Sequence, residues 1–300
     1  MIAAGNPAVD NAARPLTGGR RFSLSWLGAA PFFAYVGLFL LLPTAIIVIG
    51  SFRTLDGSVT LSNFSGIAKP FMARAFTNSL GVSVVSAVGG AVLGAILAYA
   101  VVTGNPDGLL RRSIMSASGV LAQFGGVALA FAFIATIGTT GFVYVFLKSH
   151  GLDIYGNTVW FYDPPGITLI YLYFQIPLMV LVFLPALDGI RPQWREATES
   201  LGGSTWHYWR YVAGPLLAPA FLGCTLLLFA NAFSAYATLS ALLTNGSNYV
   251  PLQIQALLTG ETQQSQPGLA QALAVTMVMI VVVVMSLYTM LQRRTSKWLR

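Results

Sequence analysis

The side chains most often used in catalysis and metal binding are few in this chain. Cys224 is the single cysteine, which excludes an intramolecular disulfide, a CxxC redox pair and a thiolate zinc cluster. The two histidines, His150 and His207, lie in predicted loops, and neither belongs to an HExxH zinc motif. A P-loop requires Gly-Lys-Ser/Thr, whereas the three lysines follow Ala, Leu and Ser: Lys69, Lys148 and Lys297. The sequence therefore predicts no catalytic residue, no metal site and no cofactor bound by this chain.

One polar segment, residues 188–215, carries side chains suited to docking on another protein. Pro192 suits the first turn of a helix, and Gly202-Gly203 suits its C-terminal cap. Ser204 or Thr205 can cap a second short helix. The expected surface carries small and aromatic side chains: Trp194, Ala197, Leu201, Trp206, Tyr208 and Trp209.

The elements that hold this segment are predicted to cross a membrane. Of the 300 residues 56% are hydrophobic and only 8% are charged, whereas soluble domains carry roughly 25% charged residues. The mean hydropathy is +0.72. A bilayer core needs about 20 apolar residues of helix, and six charge-free blocks supply them. We predict an all-α protein with spans at 26–49, 79–102, 114–137, 166–187, 216–238 and 268–291. Residues 239–260 either form a polar loop or contain a short re-entrant helix.

The distribution of Lys and Arg predicts the orientation, because short cytoplasmic loops retain them. Twelve bases fall on the side of the termini: Arg14, Arg20, Arg21, Arg111, Arg112, Arg191, Arg195, Arg210, Arg293, Arg294, Lys297 and Arg300. Four fall on the other side: Arg53, Lys69, Arg74 and Lys148. Both termini are thus expected in the cytoplasm. Topology and anionic lipid then explain the net charge of +7 without a nucleic-acid partner.

We expect three parts along the chain. Residues 1–25 form a disordered cytoplasmic tail that is too long and polar for a cleavable signal peptide. Residues 26–292 form one six-span domain, and residues 293–300 form a basic cytoplasmic tail.

None of the 25 charged residues lies inside a predicted span. Ion-driven carriers usually keep an ionisable residue at membrane depth, so this absence argues against a secondary carrier. An ion-coupled carrier stays open as an alternative from another class, since some carriers use backbone carbonyls.

Residues 196–215 begin with Glu196-Ala197-Thr198, continue to Gly202 and end in Val212-Ala213-Gly214-Pro215. This spacing resembles the cytoplasmic signature of the inner-membrane permease subunits of binding-protein-dependent ABC importers. That signature reads Glu-Ala-Ala, three residues, Gly, nine residues, Ile-x-Leu-Pro. The matching positions are Glu196, Ala197, Gly202 and Pro215, while Thr198, Val212 and Gly214 replace Ala, Ile and Leu. The resemblance covers about residues 25–295 and implies a type I (MetI-like) permease fold.

The resemblance implies that the segment is a coupling helix that inserts into a groove of an ATPase subunit. Glu196 would make a polar contact, Ala197 would allow close approach with Thr198 beside it, and Gly202 would allow the turn. Val212 would pack the second helix, and Pro215 would start the next span.

Two further segments favour a branch of this family. Residues 76–80 read Phe-Thr-Asn-Ser-Leu, and residues 228–238 precede Val-Pro-Leu-Gln-Ile at 250–254. The first resembles the way these permeases begin their core, and the second most resembles permeases for polyamines, phosphonates and ferric iron. Permeases of sugar importers share the six-span plan and remain the alternative.

The resemblance also implies partners and a location. Two cytoplasmic ATPase subunits would hydrolyse ATP, a second and related permease subunit would complete the path, and an extracytoplasmic binding protein would deliver the solute. The chain would lie among lipids of the bacterial cytoplasmic membrane.

Polar residues at membrane depth are the candidates for the path. Asn231, Ser234 and Thr238 lie at i, i+3 and i+7 of the fifth predicted span, with Tyr236 beside them. Gln123 and Gln175 are large polar groups of the third and fourth spans. Helix packing is the alternative role for each, because neighbouring helices usually satisfy polar groups in lipid.

Overall fold

The computed structural model describes residues 25–54, 56–105, 108–156, 158–243, 248–260 and 266–296, with backbone alone at 25–27 and 291–296. Residues 1–24, 244–247 and 297–300 lie outside the described residues, and most of the two predicted tails falls there. By packing, the chain forms two units, residues 1–46 and 47–300.

Regular structure in the described ranges is helical, apart from an isolated β-bridge between Arg53 and Val59. Short π-helical segments lie at Gly37–Leu41 and Trp209–Ala213. The α-helices are α1 (Ser25–Val36), α2 (Leu42–Ser51), α3 (Ser62–Ser65), α4 (Pro70–Thr103), α5 (Leu109–Gln123), α6 (Gly126–Thr136), α7 (Phe142–Ser149), α8 (Pro164–Asp188), α9 (Pro192–Ser200), α10 (Thr205–Tyr208), α11 (Gly214–Phe233), α12 (Ala237–Leu242), α13 (Val250–Thr259) and α14 (Pro267–Ser296).

Five helical segments are long and apolar enough to cross a membrane: Gly28–Ser51, Pro70–Thr103, Pro164–Asp188, Thr205–Phe233 and Pro267–Met290. They correspond to the first, second, fourth, fifth and sixth predicted spans. The all-α membrane fold is therefore confirmed.

The third predicted span, 114–137, is wrong as a continuous helix. The chain breaks at Phe124-Gly125, and α5 and α6 meet at an angle of 100°. Gly126 has φ +66°, a left-handed conformation that costs glycine little. This glycine lets the backbone turn where hydropathy alone predicted a straight helix.

The bent pair nevertheless packs along α8. At one end, Arg111 in the first turn of α5 pairs with Asp188, the last residue of α8. Midway, the ring of Phe124 lies 6.4 Å from that of Tyr173. At the other end, the Tyr155 hydroxyl donates to the carbonyl of Ile137, just after α6. Counted as one broken span, the pair brings the candidate crossings among the described residues to six.

The fifth predicted span also ends earlier than expected. Helix α11 stops at Phe233, residues 234–236 leave the helix, and α12 follows as a separate helix of 6 residues. Residues 239–260 are not a simple polar loop, because they also contain the 10-residue helix α13. The expectation of one helix through Thr238 is therefore corrected.

Close packing of α4 against α8 forms the centre of the second unit. A Cβ atom on Gly90 would lie 2.6 Å from Cβ of Gln175, and one on Gly94 would lie 2.5 Å from Cβ of Met179. Small residues four apart allow two backbones in lipid to approach closely. These glycines fix the position of α8 along α4, and with it the level of Gln175 in the bundle.

The predicted coupling segment lies at the same end of the bundle as the turn after α4. Tyr99, near the end of α4, packs edge-on against Trp209, with ring centroids 5.2 Å apart. At the opposite end of α4, the Asn78 side chain donates to the Asn248 carbonyl at 3.2 Å. These contacts place the loops after α4 and α8 on one side, as the charge distribution predicts.

Candidate functional site

Two helix breaks face each other inside the second unit. One is Phe124-Gly125 between α5 and α6, and the other is residues 234–236 between α11 and α12. At the second break the Tyr171 hydroxyl donates to the carbonyl of Ala235 at 3.2 Å, and the Ser234 hydroxyl donates to that of Ala230 at 2.9 Å. Irregular backbone at membrane depth is tolerated where it is buried in protein or lines a water-filled cavity.

A cavity of about 230 Å³ lies between these breaks. Both breaks contribute to its wall, and the end of α11 completes it. The lining residues are Ala122, Gly125, Gly126, Phe174, Asn231, Ser234, Ala235, Tyr236, Ala237 and Thr238.

Contacts among three helices place this cavity near the middle of the membrane. Gly90 lies at the centre of the second predicted span and contacts Gln175. The Gln175 side chain in turn donates to the carbonyl of Leu228 at 2.9 Å. Asn231 is three residues further along α11, which is about 4.5 Å of helix rise. The cavity therefore lies within about one helical turn of mid-depth.

Four of the six residues predicted to face a path line this cavity: Asn231, Ser234, Tyr236 and Thr238. Asn231 and Ser234 are exposed, whereas Thr238 is buried. An exposed carboxamide at this depth would be costly against lipid chains. This face of α11 therefore requires an aqueous or protein neighbour.

The other two predicted residues lie elsewhere. Gln123 is exposed at the end of α5, two residues before Gly125, and does not line the cavity. Gln175 is fully buried between α4, α8 and α11 and is hydrogen-bonded to Leu228. The structure thus gives Gln175 a contact between helices and no access to the cavity.

Sequence reasoning missed two features of the cavity. Gly125-Gly126 was not identified as a break, although a glycine pair inside an apolar block is a turn signal. Gln255 in α13 was not singled out, yet the Tyr236 hydroxyl donates to its side-chain oxygen. That bond positions Tyr236 at the beginning of α12.

The described lining is polar and uncharged. It offers a carboxamide, hydroxyl groups, a phenol and the backbone at the break, and none of the ten residues named above is Asp, Glu, Lys, Arg or His. Such a wall can exchange hydrogen bonds with a solute. These ten residues supply no counter-charge for an ion.

The predicted coupling segment, residues 188–215, forms the expected pair of short helices, α9 and α10. Helix α9 begins at Pro192, and Gly202 follows it with φ +78°. The amide of Gly202 donates to the carbonyl of Glu199 at 3.0 Å, and that of Gly203 donates to the carbonyl of Thr198 at 2.9 Å. These bonds cap α9 in the way that glycine allows after a helix.

Polar and apolar groups share the outer surface of this segment. Glu196 and Ala197 are exposed, while Arg195 forms an ion pair with Glu199 at 3.0 Å. Leu201 is 89% exposed and Trp206 67% exposed. Leu201 and Trp206 therefore leave apolar surface open beside charged side chains.

The remaining two motif residues lie where the chain re-enters the bundle. Val212 belongs to the π-helical segment Trp209–Ala213, and Pro215 lies in the first turn of α11. At the start of α10, the amide of Ser204 donates to Nδ1 of His207 at 3.3 Å. Ser204 thus occupies the N-cap position of α10, one of the two positions predicted.

A polar network on the opposite side of the bundle stabilises the loop after α7. The Asp153 carboxylate accepts hydrogen bonds from the amides of Tyr155, at 3.1 Å, and Gly156, at 3.2 Å. These bonds, with a smaller contribution from the Lys148 ammonium 3.9 Å away, lower the pKa of Asp153. A hydrogen bond to the Tyr144 hydroxyl raises the pKa of Lys148.

Comparison with known proteins gives these features a family. Residues 139–297 match the family described as "Binding-protein-dependent transport system inner membrane component". The thiamine transport system permease protein ThiP of Escherichia coli K12 is 28% identical over 115 residues, which are 37% of this chain and 20% of that longer protein. The trehalose transport system permease protein SugB of Mycobacterium tuberculosis is 26% identical over 246 residues, covering 80% and 81% of the two chains.

The fold also matches a solved structure. A chain of a bacterial ABC transporter involved in the import of the acidic polysaccharide alginate superposes with a TM-score of 0.72. The superposition covers 90% of this chain and 95% of that one at 18% sequence identity. This likeness shows the fold alone.

Proposed function

The chain belongs to the family of binding-protein-dependent transport system inner membrane components, and on this premise we propose that its central cavity is the translocation path for a small, neutral, polar solute. The chain is a permease subunit of a bacterial ABC importer, a multi-pass membrane protein and not an enzyme. Because the chain belongs to this family, the alternative hypothesis of an ion-coupled carrier is rejected. In the proposed cycle, ATP binding and hydrolysis in partner subunits drive the permease between outward-open and inward-open forms.

The observation that carries this proposal is the meeting of two helix breaks around Asn231 at mid-depth. Each break exposes polar backbone that a continuous helix would hide. Asn231 and Ser234 add exposed side chains at the same level. A second permease subunit, which we propose to be a related chain, would close the open side of this face and complete the path.

The lining supports a neutral solute over a charged one. A polyamine or ferric iron would leave its positive charge without a carboxylate, and a phosphonate would leave its negative charge without a base. Moving an unpaired charge out of water costs far more than moving a hydroxyl that gains a hydrogen bond. A hydroxyl-rich solute of the sugar type therefore fits better than the polyamine, phosphonate or iron that the sequence favours.

The coupling segment would dock on the ATPase through the exposed end of α9. Glu196 would supply a polar contact, and Ala197 with Thr198 would allow close approach. Gly202 would hold the turn, while Val212 and Pro215 would connect the segment to α11. Leu201 and Trp206 are exposed beside these residues, so burial against the ATPase would add apolar area.

A two-part experiment tests this function. The complex is purified through a tag on this chain and reconstituted in vesicles with its binding protein and ATP. Uptake of labelled neutral sugars, polyamines and phosphonates is then compared. The proposal expects ATP-dependent uptake of a neutral solute, and accumulation of a polyamine or phosphonate instead would contradict it.

The second part tests docking at the coupling segment. The double variant Glu196→Arg/Gly202→Asp should insert normally and lose the ATPase subunit. Gly202→Asn is the matched control, because Asn tolerates the left-handed conformation better than other residues. It should retain the ATPase. Equal retention by all three proteins would exclude docking through this turn.

A further inference from the structure

The ion pair between Arg111 and Asp188 joins α5, which leads to the proposed translocation path, to the residue just before the coupling segment. Nη2 of Arg111 lies 2.6 Å from Oδ2 of Asp188. Asp188 ends α8 immediately before the coupling segment, and Arg111 lies in the first turn of α5. The other end of α5 leads into the break at the cavity.

Helix electrostatics do not explain where these two charges lie. A cation is unfavourable at the N-terminal end of a helix and an anion at the C-terminal end, because the helix dipole opposes both. Arg111 lies at the start of α5, and Asp188 lies at the end of α8. Each residue opposes the dipole of its own helix and is compensated by the other.

The last turn of α8 is suited to movement. Pro185 lies inside the helix, three residues before Asp188. A proline cannot donate a backbone hydrogen bond and weakens the helix at the preceding turn. Displacement of the coupling segment can therefore bend α8 at this turn, while Gly90 and Gly94 of α4 hold the middle of α8.

Helix α5 can transmit that displacement to the cavity. Ile114 and Met115 pack against the apolar cluster that includes Leu187, so apolar groups as well as the ion pair join the start of α5 to the bundle. From Arg111 to Ala122, which lines the cavity, the helix rises about 16 Å. A rigid rod of this length moves its far end when its near end moves.

Resting on the function proposed above, we infer that Arg111 and Asp188 are positioning residues. They tie the base of the coupling segment to α5, so that movement driven by the ATPase changes the break at Gly125-Gly126. The ion pair transmits force and touches no solute. Its loss should separate ATP hydrolysis from transport while the complex remains assembled.

Charge reversal in the reconstituted complex tests this inference. The variants are Arg111→Asp, Asp188→Arg and the exchange of both, with Asp188→Asn as a milder change. The matched control is Arg112→Asp at the neighbouring exposed position. Each sample is assayed for retained ATPase subunit, for ATP hydrolysis and for solute taken up per ATP.

Each charge reversal at Arg111 or Asp188 should keep the ATPase bound and lower uptake per ATP by about tenfold, within the usual range of coupling between sites, and Asp188→Asn should lower it less. The exchange should restore most of that loss, and Arg112→Asp should have little effect. No loss in the single variants, no recovery in the exchange, or an equal loss in Arg112→Asp would overturn the inference. Absence of ATP-driven uptake in the unmodified complex would instead contradict the proposed function.

Discussion

The side chain of Gln175 in α8 donates to the backbone carbonyl of Leu228 in α11 at 2.9 Å, at the level where Gly90 of α4 contacts both residues. Three helices therefore meet around one fully buried carboxamide. Its Oε1 is buried without a hydrogen-bond partner.

Replacing Gln175 by Leu should cost little stability. The Leu228 carbonyl lies within α11 and keeps its helical partner, and hydrogen bonds between helices in lipid average about 0.6 kcal/mol. Gln175→Glu should cost at least about 2 kcal/mol, because a carboxylate there lacks a counter-charge. Thermal unfolding in detergent can be followed with a thiol-reactive dye, since Cys224 is the single cysteine and is partly buried. An equal loss of thermal stability in Gln175→Leu and Gln175→Glu would contradict a packing role for Gln175.

Gly94→Val should destabilise the packing of α4 against α8. The added Cβ would lie 2.5 Å from Cβ of Met179 and 2.7 Å from the carbonyl of Ile176, and overpacking of this kind costs about 1–3 kcal/mol. Gly81→Val on the same helix is the control, because no atom lies within 4 Å of its Cβ position. The same unfolding assay should show a lower midpoint for Gly94→Val alone.

Asn231→Asp should separate neutral from cationic cargo. A carboxylate in the cavity would have to lose water when a neutral solute binds, so uptake of that solute should fall by about tenfold. Uptake of a polyamine should rise. Asn231→Ala serves as the uncharged control and should reduce uptake less. A gain of neutral-solute uptake in the Asp variant would argue against a path through this face of α11.

The loop after α7 should keep its structure from neutral pH down to about pH 4. Because the folded-state pKa of Asp153 is below its ordinary value of 3.8, the stabilisation is present above that value and is lost as pH falls through the lower folded-state pKa. Trp160 reports on this loop, since its indole donates to the Ile154 carbonyl at 2.8 Å. The emission difference between wild type and Trp160→Phe should change only in acid. An identical acid transition in Asp153→Asn would assign it to another group.

The crossings and the coupling segment could be predicted because they rest on local signals. Charge-free blocks mark the spans, and Pro192 and Gly202 mark the ends of a surface helix. The breaks could not be predicted in this way, since hydropathy is the same for a straight and a bent apolar helix. Asn231, Ser234 and Thr238 were expected to share the face of one helix. They meet instead around a break, where periodicity does not apply.

The burial of Gln175 could not be predicted from the sequence for a different reason. Gln175 carries the same carboxamide group as Asn231 and lies at a similar depth. It is nevertheless buried between helices, whereas Asn231 is exposed at the cavity. The difference depends on which face of α8 meets α4, and this is set by Gly90 and Gly94 on another helix. A single sequence does not reveal such a pairing.

The cavity owes its shape to the main chain, with the turn at Gly126 and the carbonyl of Ala235 anchored by Tyr171. Its chemical character comes from four side chains that take no part in the packing between α4 and α8. Such a division allows a lineage to acquire a new nutrient by altering those positions while its scaffold stays intact. The transported solute could then change without any change in the packing of α4 against α8.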